Sequence, residues 1–447
     1  MANLITHSLS FNKESVAEYF IKPLFIEMDI RNLVDIRLDV KSGDKLDLVD
    51  NLEKITKAYA QGTSFTSSTG VTITQKTLTT ADFKAEVQQN GKAFLDQVKQ
   101  AALKKGYSEN DISSTLFEEI ILSIFIDGIA ADVQRILWLG DTVKETRSSD
   151  IATGTADADY NVIDGFWKKV IEDVDATTIP AAQFLDLNST TYLDTAAVAE
   201  VDTVTLTGTA GTANITINGT AYLATFATDL TTTATNFVTS HAATILAREG
   251  GVVVTSSTTT VVVTAGVAGC QISTAIANVS GNLAGSVADT TASVATGAVK
   301  TDAALAMFKA MYAKMPSSLR KRKSEVKFYV TASIADNYRD TMESSSAGSD
   351  SSYNAVIDGV RRMAYRNIEI VEFLSWDDYI DSDFGDCRPH RALLTIPANF
   401  IVGLDGASDD TDLELFYDQT TQNNVFRAEW KMGVEYLHED YIVVAYA

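Results

Sequence analysis

Between Leu116 and Leu139 apolar residues return every three or four positions. Phe117, Ile120, Ile121, Ile124, Ile129, Val133, Ile136 and Leu137 make one broad face. That period predicts a long helix, with Thr115 and Glu118 as a capping box and Gly140 as the stop. Ahead of it, Gly62 to Thr80 is rich in Ser, Thr and Gly and alternates at Val71 and Ile73, which predicts an extended two-stranded excursion. Such a ribbon cannot bury both faces within its own subunit, so it needs a neighbour. Further on, the pattern predicts a helix with Leu305, Phe308, Met311 and Tyr312 inward, a strand at Val326 to Val330 and a short helix from Ser333 through Met342. Strands follow at Ile368 to Phe373, Ala392 to Ile396, Leu413 to Tyr417, Phe426 to Met432 and Tyr441 to Tyr446. This order is α+β, without the strict alternation of a doubly wound fold.

The pattern changes near Val201 and changes back near Gly297. Between them stand 24 threonines and five charged residues (Asp202, Asp229, Arg248, Glu249, Asp289), and no lysine occurs between Lys169 and Lys300. Short alternating segments at Val204 to Thr207, Asn214 to Ile217 and Val252 to Thr255 read as half-buried strands. Asn218-Gly219 suits a tight hairpin turn, and Thr235 to Ala247 suits one helix. An inserted β-sandwich with a single helix is expected over 201–297.

Charge and chemistry narrow the function. A formal net charge of −23 disfavours a protein that reads or scans nucleic acid. The two cysteines, Cys270 and Cys387, are far apart and without CxxC spacing, so neither a disulfide framework nor a thiolate metal site is expected, and stability is assigned to packing. The opening residues lack the basic start and apolar core of a signal peptide, and no run is long enough to cross a bilayer, so a cytoplasmic site of synthesis and no membrane partner are expected. There is no phosphate loop, HExxH or GxSxG, and His7, His241, His390 and His438 stand singly. No enzyme, cofactor or metal is expected. Asp157, Asp159, Asn161 and Asp164 resemble the start of a calcium loop, but Val162 takes the glycine position and Lys168 that of the bidentate Glu, so a polar connection is the reading. The acidic run Asp405, Asp409, Asp410, Asp412 and Glu414 reads as a solvated turn, with a cation held between subunits as the lesser option. Arg320-Lys321-Arg322-Lys323, the dense basic run, reads as a solvated loop or as a contact to DNA or an acidic neighbour.

The long helix, then Trp138-Leu139-Gly140-Asp141, Asp164-Gly165-Phe166, Val326 to Thr331 leading into a helix, and Leu393-Leu394-Thr395-Ile396-Pro397-Ala398-Asn399 with Gly403 follow one another in an order that resembles tailed-phage major capsid proteins of the Hong Kong 97-type fold. Phe426 to Val434 and the terminal strand are similar to that family's return strands, and the Thr-rich insertion resembles accessory β-modules of phage virion proteins. The resemblance implies an N-terminal arm over residues 1–35 and an extended loop over 40–82. It implies a peripheral domain over 83–159 and 412–447, and an axial domain over 160–200 and 298–411. It implies a virion protein that assembles with itself as hexamers and pentamers of an icosahedral shell, alongside portal, scaffold or decoration proteins, around non-specifically held double-stranded DNA. Assembly contacts are then expected at Phe20, Pro23 and Phe25 of the arm and at Val71, Ile73 and Lys76 of the loop. Some members join subunits through a Lys-to-Asn bond; nothing in the sequence places an Asn and a Glu beside Lys76, and no cross-link is assigned. An encapsulin-like compartment and, further off, a glycan-binding adhesin are the alternatives.

Overall fold

The computed structural model describes residues 33–38, 40–49, 73–89, 116–148, 151–344, 354–357, 360–380, 387–404, 412–421 and 423–447. Phe20, Pro23, Phe25, Val71 and Thr115 lie outside these residues, as do Asp405, Asp409 and Asp410. Contacts divide the chain into two units, Met1–Gln134 with Ala398–His438, and Arg135–Pro397 with Glu439–Ala447.

In the first unit, strand β22 (Asn423–Tyr436) is the axis. It pairs antiparallel with β4 (Ala81–Gln89), β21 (Asp412–Asp418) and β20 (Phe400–Leu404), and β1 (Asp35–Arg37) joins β20 in parallel. Alternation along β22 buries Asn424, Phe426 and Ala428. Helix α1 (Leu116–Leu139) sets Phe125 against Phe426, ring centroids 6.1 Å apart, with Val87, Ile129 and Trp430 around them. The expected face holds at the C-terminal end of the helix, where Ile136 and Leu137 are buried, and needs correction earlier in the helix, where Phe125 is buried, Ile124 is only half-buried and Ile126 is exposed. β2 (Asp44–Val49) and β3 (Ile73–Leu78) pair as a two-stranded ribbon from Asp44↔Leu78 to Val49↔Ile73. Its root is built into this unit, because Leu46 and Leu78 pack with Val40 and Ile401.

The second unit is centred on a seven-stranded mixed sheet. Its order is β16 (Asn354–Ile357), β17 (Val360–Tyr365), β18 (Ile368–Phe373), β15 (Lys327–Thr331), β19 (Arg391–Thr395), β23 (Ile442–Tyr446) and β7 (Phe184–Asp186). Strands β15, β19 and β23 are buried at almost every position, as apolar runs covered on both faces must be. Helix α4 (Ala303–Lys314) contributes Ala304, Met307, Phe308 and Met311 to the core that also holds Phe328, Leu394 and Val443. Leu305 and Tyr312, expected inward, pack against this core and are half-buried. The final strand differs from the expected grouping as well: β23 pairs with β19 and β7 in this sheet, whereas the sequence reading placed all of 412–447 in one domain. Residues 398–404, expected in the axial part, fall in the first unit through the pairing of β20 with β22.

The two short motifs flanking the end of α1 are stitched together. Gly165 donates its N–H to Gly140 O at 2.8 Å, and Thr142 N and Oγ1 both donate to Asp164 Oδ1. A Cβ on Gly165 would meet backbone atoms of Gly140, Ile136 and Trp138 at 2.7 to 2.9 Å, so neither motif tolerates a side chain there. Beside this contact Trp138 is buried among Phe166, Tyr329, Phe373 and Trp376, with centroids 5.0 to 6.0 Å away. Phe166 opens α2 (Phe166–Asp175), which buries Trp167, Val170 and Ile171. Between the motifs runs a hairpin of β5 (Glu145–Ser148) and β6 (Ile151–Ala156).

Val201–Thr291 folds into two sheets and one helix. β10 (Thr220–Thr225), β9 (Gly211–Ile217) and β13 (Thr274–Gly281) form one sheet. β11 (Val253–Ser257), β12 (Thr260–Thr264), β8 (Val201–Thr207) and β14 (Ala284–Thr291) form the other. Asn218 and Gly219 make the β9–β10 turn with φ of 48° and 89°. Helix α3 (Leu230–Arg248) begins five residues ahead of the expected start at Thr235, because Asp229 accepts the Thr232 N–H and caps it. These elements share one core that includes Val204, Ile215, Phe237, Ile245 and Val263. Chain entry and exit run side by side, bridged at Leu193↔Val299 and Val198↔Val294. One expectation fails outright here: Cys270 and Cys387 are disulfide-bonded across a sequence separation of 117. Spacing along the chain carried no sign of it, since the fold alone brings Cys387 to the segment between β12 and β13.

Candidate assembly surfaces and charged sites

Alternation on β3 places Ile73 outward, 62% exposed, and turns the lysine three residues on toward the sheet of its own unit. Lys76 Nζ lies 3.7 Å from the centroid of the Tyr436 ring and 4.0 Å from Glu435 Oε1. A cation over a ring face next to a carboxylate fixes the ribbon root to β22. The ribbon therefore has a fixed root that includes Lys76, with Ile73 exposed on its outer face. Leu38, Ile126 and Phe416 are further exposed apolar residues of this unit.

The basic run sits on α5 (Ser317–Lys321) and the turn that follows it. Arg320 donates from Nη2 to Ala313 O at 3.0 Å and to Tyr312 O, satisfying the open carbonyls that end α4. Arg322 pairs with Glu325 at 2.6 Å. Arg320 and Lys323 stand over the Tyr312 ring, and Arg322 over Tyr441. A residue that the sequence reading did not connect with this run, Arg366, stands over the same Tyr312 ring at 4.8 Å. Its position 43 residues beyond Lys323, on the β17–β18 turn, hid that link.

Two of the four suspected calcium-loop side chains hold local partners. Asp157 Oδ1 accepts from Asp159 N, and Asp164 holds Thr142. Lys168 makes ion pairs with Asp141 and Glu172, both at 3.3 Å. Burial works against the Lys168 charge, but the two carboxylates outweigh it and its pKa is raised. His390, which looked isolated in sequence, is buried with Nδ1 at 2.9 Å from Ser333 Oγ and Nε2 at 3.0 Å from Gly297 O. The neighbouring carboxylate of Asp377 accepts from the N–H groups of Ala332 and Ser333 at the start of α6 (Ala332–Ser344). Burial raises its pKa in spite of those hydrogen bonds. A Ser, a His and an Asp thus lie together, but the carboxylate serves a helix end while a backbone carbonyl faces the imidazole. That wiring differs from a nucleophilic triad, in which the carboxylate orients the base.

Two acidic groups involve the insertion. Glu249, 1% exposed, accepts the Tyr222 hydroxyl at 2.5 Å and leaves its other oxygen without a hydrogen bond. Burial and the nearby Glu249 charge raise the pKa of Glu145 on β5, which accepts from Gly154 N. On β8 and β14, Asp202 and Asp289 stand directly opposite each other, and Glu200 brings a third carboxylate within 4.8 Å. Three oxygens are at most half of the shell that calcium takes. Burial, with the like charges added, raises the pKa of both Glu200 and Asp202. Two clefts of about 620 and 650 Å³ lie where α3 meets the β5–β6 hairpin and the α2 region. Both are lined by Lys144, Glu145 and Ala247, and the larger adds Trp167, Arg388 and Arg391.

No family model and no curated protein sequence matches the chain. Among solved structures it is similar to the capsid of a native GTA particle, at 10% identity over 93% of this chain and 89% of that one, with a TM-score of 0.38. It is similar to the satellite phage P4 procapsid, at 9% identity over 94% of each chain and a TM-score of 0.40. It is also similar to Mycobacterium phage Ogopogo, at 10% identity over 94% of this chain and 92% of that one, with a TM-score of 0.39.

Proposed function

We propose that this chain is the major capsid protein of a tailed bacteriophage, a structural subunit that assembles with itself into the icosahedral shell around the genome. The observation that carries this reading is the β2–β3 ribbon, rooted in one unit through Leu46, Leu78 and Lys76, with Ile73 exposed on its outer face. A two-stranded ribbon is marginal by itself and gains stability from what covers it. In a repeating shell that cover is an adjacent copy. The long helix over β22, the stitched Gly140 and Gly165 motifs and the buried mixed sheet follow the order on which the family resemblance rests. On this reading the first unit supplies the peripheral part and the extended loop, residues 1–35 supply the arm, and the second unit without 201–297 supplies the axial part. Phe20, Pro23, Phe25, Val71 and Ile73 make the contacts between copies. Portal, scaffold or decoration proteins are the companions of such a shell, and the insertion faces outward. Electron microscopy of the concentrated chain, alone and with its companion virion proteins, tests the reading. Closed icosahedral shells are expected; a chain that stays monomeric under every such condition removes it.

A further inference from the structure

We propose that Arg320, Lys321, Arg322, Lys323 and Arg366 form one phosphate-binding face of the second unit, which takes the backbone of duplex DNA. DNA as the phosphate source rests on the capsid reading above; the face itself rests on geometry.

The hub is Tyr312. Arg366 Cζ, Lys323 Nζ and Arg320 Cζ lie 4.8, 5.6 and 5.9 Å from its ring centroid, and Arg322 Cζ lies 5.6 Å from that of Tyr441. A ring face attracts a cation through its quadrupole and leaves in-plane N–H donors available. Guanidinium donors held this way match phosphate oxygens in pairs. Among the described residues, the only ion pair made by the five is Arg322 with Glu325. Arg320, Lys321 and Arg366 are exposed, and Glu439 and Asp440 lie on the adjoining turn, where Ser318 Oγ donates to Asp440 O.

Arg366 is held at a backbone cost. It and Asn367 form the two-residue turn between β17 and β18 with φ of 52° and 63°. Asn suits that region, whereas Arg is a poor residue for it. The turn aims its guanidinium at Tyr312, the ring already shared by two cations of the distant run. Partner class follows from what the face lacks. The large apolar side chains exposed among the described residues all lie elsewhere, so the face has no anchor of the kind that centres a protein interface. The chain's net charge of −23 does not prevent binding, because charges beyond a Debye length of about 8 Å at physiological salt are largely screened.

The test is titration of a mixed-sequence DNA duplex with the unassembled full-length chain at several salt concentrations, so the result does not depend on shells forming. Binding should be independent of sequence, with log K falling against log salt at a slope near −4, from about 0.9 per phosphate neutralised. The triple variant Lys321→Ala, Lys323→Ala, Arg366→Ala should lower that slope to about −1.3 and weaken binding at least tenfold at about 50 mM salt. Arg366→Ala alone should lower it by about 0.9. An unchanged unfolding midpoint shows that the variants fold. A wild-type chain that does not bind at about 50 mM salt, or a triple variant with the wild-type slope, overturns the proposal. So does a triple variant that binds DNA normally and fails only to assemble, which makes the face a subunit contact.

Discussion

Cys270 is bonded to Cys387, which ties the segment between β12 and β13 of the insertion to the loop that leads into β19. Nearby, Thr296 Oγ1 donates to Cys387 O and Gly297 O faces His390, so the bond reinforces the exit crossing of the insertion. Closing a loop of about 100 residues removes on the order of 4 to 5 kcal/mol of chain entropy from the unfolded state, and measured gains are typically about 2 to 4 kcal/mol. Cys270→Ser should lower the unfolding midpoint accordingly, and reductant should do the same to the wild type. Equal midpoints with and without reductant mean that the bond does not hold the domain. A bacterial cytoplasm keeps thiols reduced. Alkylation at the moment of lysis should therefore label both cysteines, while released particles resist it.

The ribbon can be tested without disturbing its root. Replacing residues 50–72 by an Asn-Gly turn would close β2 and β3 across the Val49↔Ile73 pair. The chain should fold with a midpoint close to wild type and fail to form closed shells in sedimentation. Normal shells would take the loop out of assembly. A cruder cut of residues 62–80 would remove Leu78, which is fully buried with Val40 and Ile401, and should unfold the first unit.

What the sequence revealed, and what it hid, follows from the range over which each signal acts. The Asn218-Gly219 turn and the strands beside it were legible because turn chemistry and alternation are local. The cysteine bond was not, because nothing local marks two residues that only the fold brings together. Ile442 to Tyr446 read correctly as a strand, but a run buried at every position says only that both faces are covered, not which sheet covers them. β5 and β6 were missed because Thr, Gly and Ala on Ile151–Ala156 carry no apolar alternation. Lys76 was legible as a loop residue, yet its ring partner Tyr436 lies 360 positions away. Arg366 was invisible for the same reason.

Helix α1 offers a direct comparison of neighbours. Phe125→Ala removes a ring packed on Phe426 and should cost about 3 kcal/mol, the low end for a buried Phe because the cluster around it is small. Ile126, 49% exposed, should tolerate Ala within about 0.5 kcal/mol in denaturant unfolding. In assembly the order should invert, with Ile126→Ala harming shell yield through a lost contact between copies. If Ile126→Ala destabilises the unassembled subunit as much as Phe125→Ala does, the assigned helix face is wrong.

Asp202 and Asp289 face each other across β8 and β14 with Glu200 beside them, and only one basic residue, Arg248, stands between Val201 and Gly297. Like charges directly opposite in a sheet destabilise it by roughly 0.2 to 1 kcal/mol. Asp289→Asn should therefore raise stability by about that amount at neutral pH. The sign with pH follows from the raised pKa values of Glu200 and Asp202, which come from burial first and from the neighbouring carboxylates after it. A carboxyl whose folded pKa exceeds its unfolded value of about 4 binds more protons in the folded state. Stability from these two groups is then greatest below that value and is lost as pH rises through the folded pKa values. In the wild type, mild acid relieves the repulsion by protonation, so the advantage of Asp289→Asn should be largest near neutrality and shrink as pH falls toward about 4. Thermal unfolding of the full chain and the variant, compared pH by pH, reads the difference directly. A gap between them that stays constant over that range would mean that Glu200 and Asp202 are not the groups that set it, and a variant less stable than wild type at neutral pH would mean that Asp289 is held by a favourable contact instead.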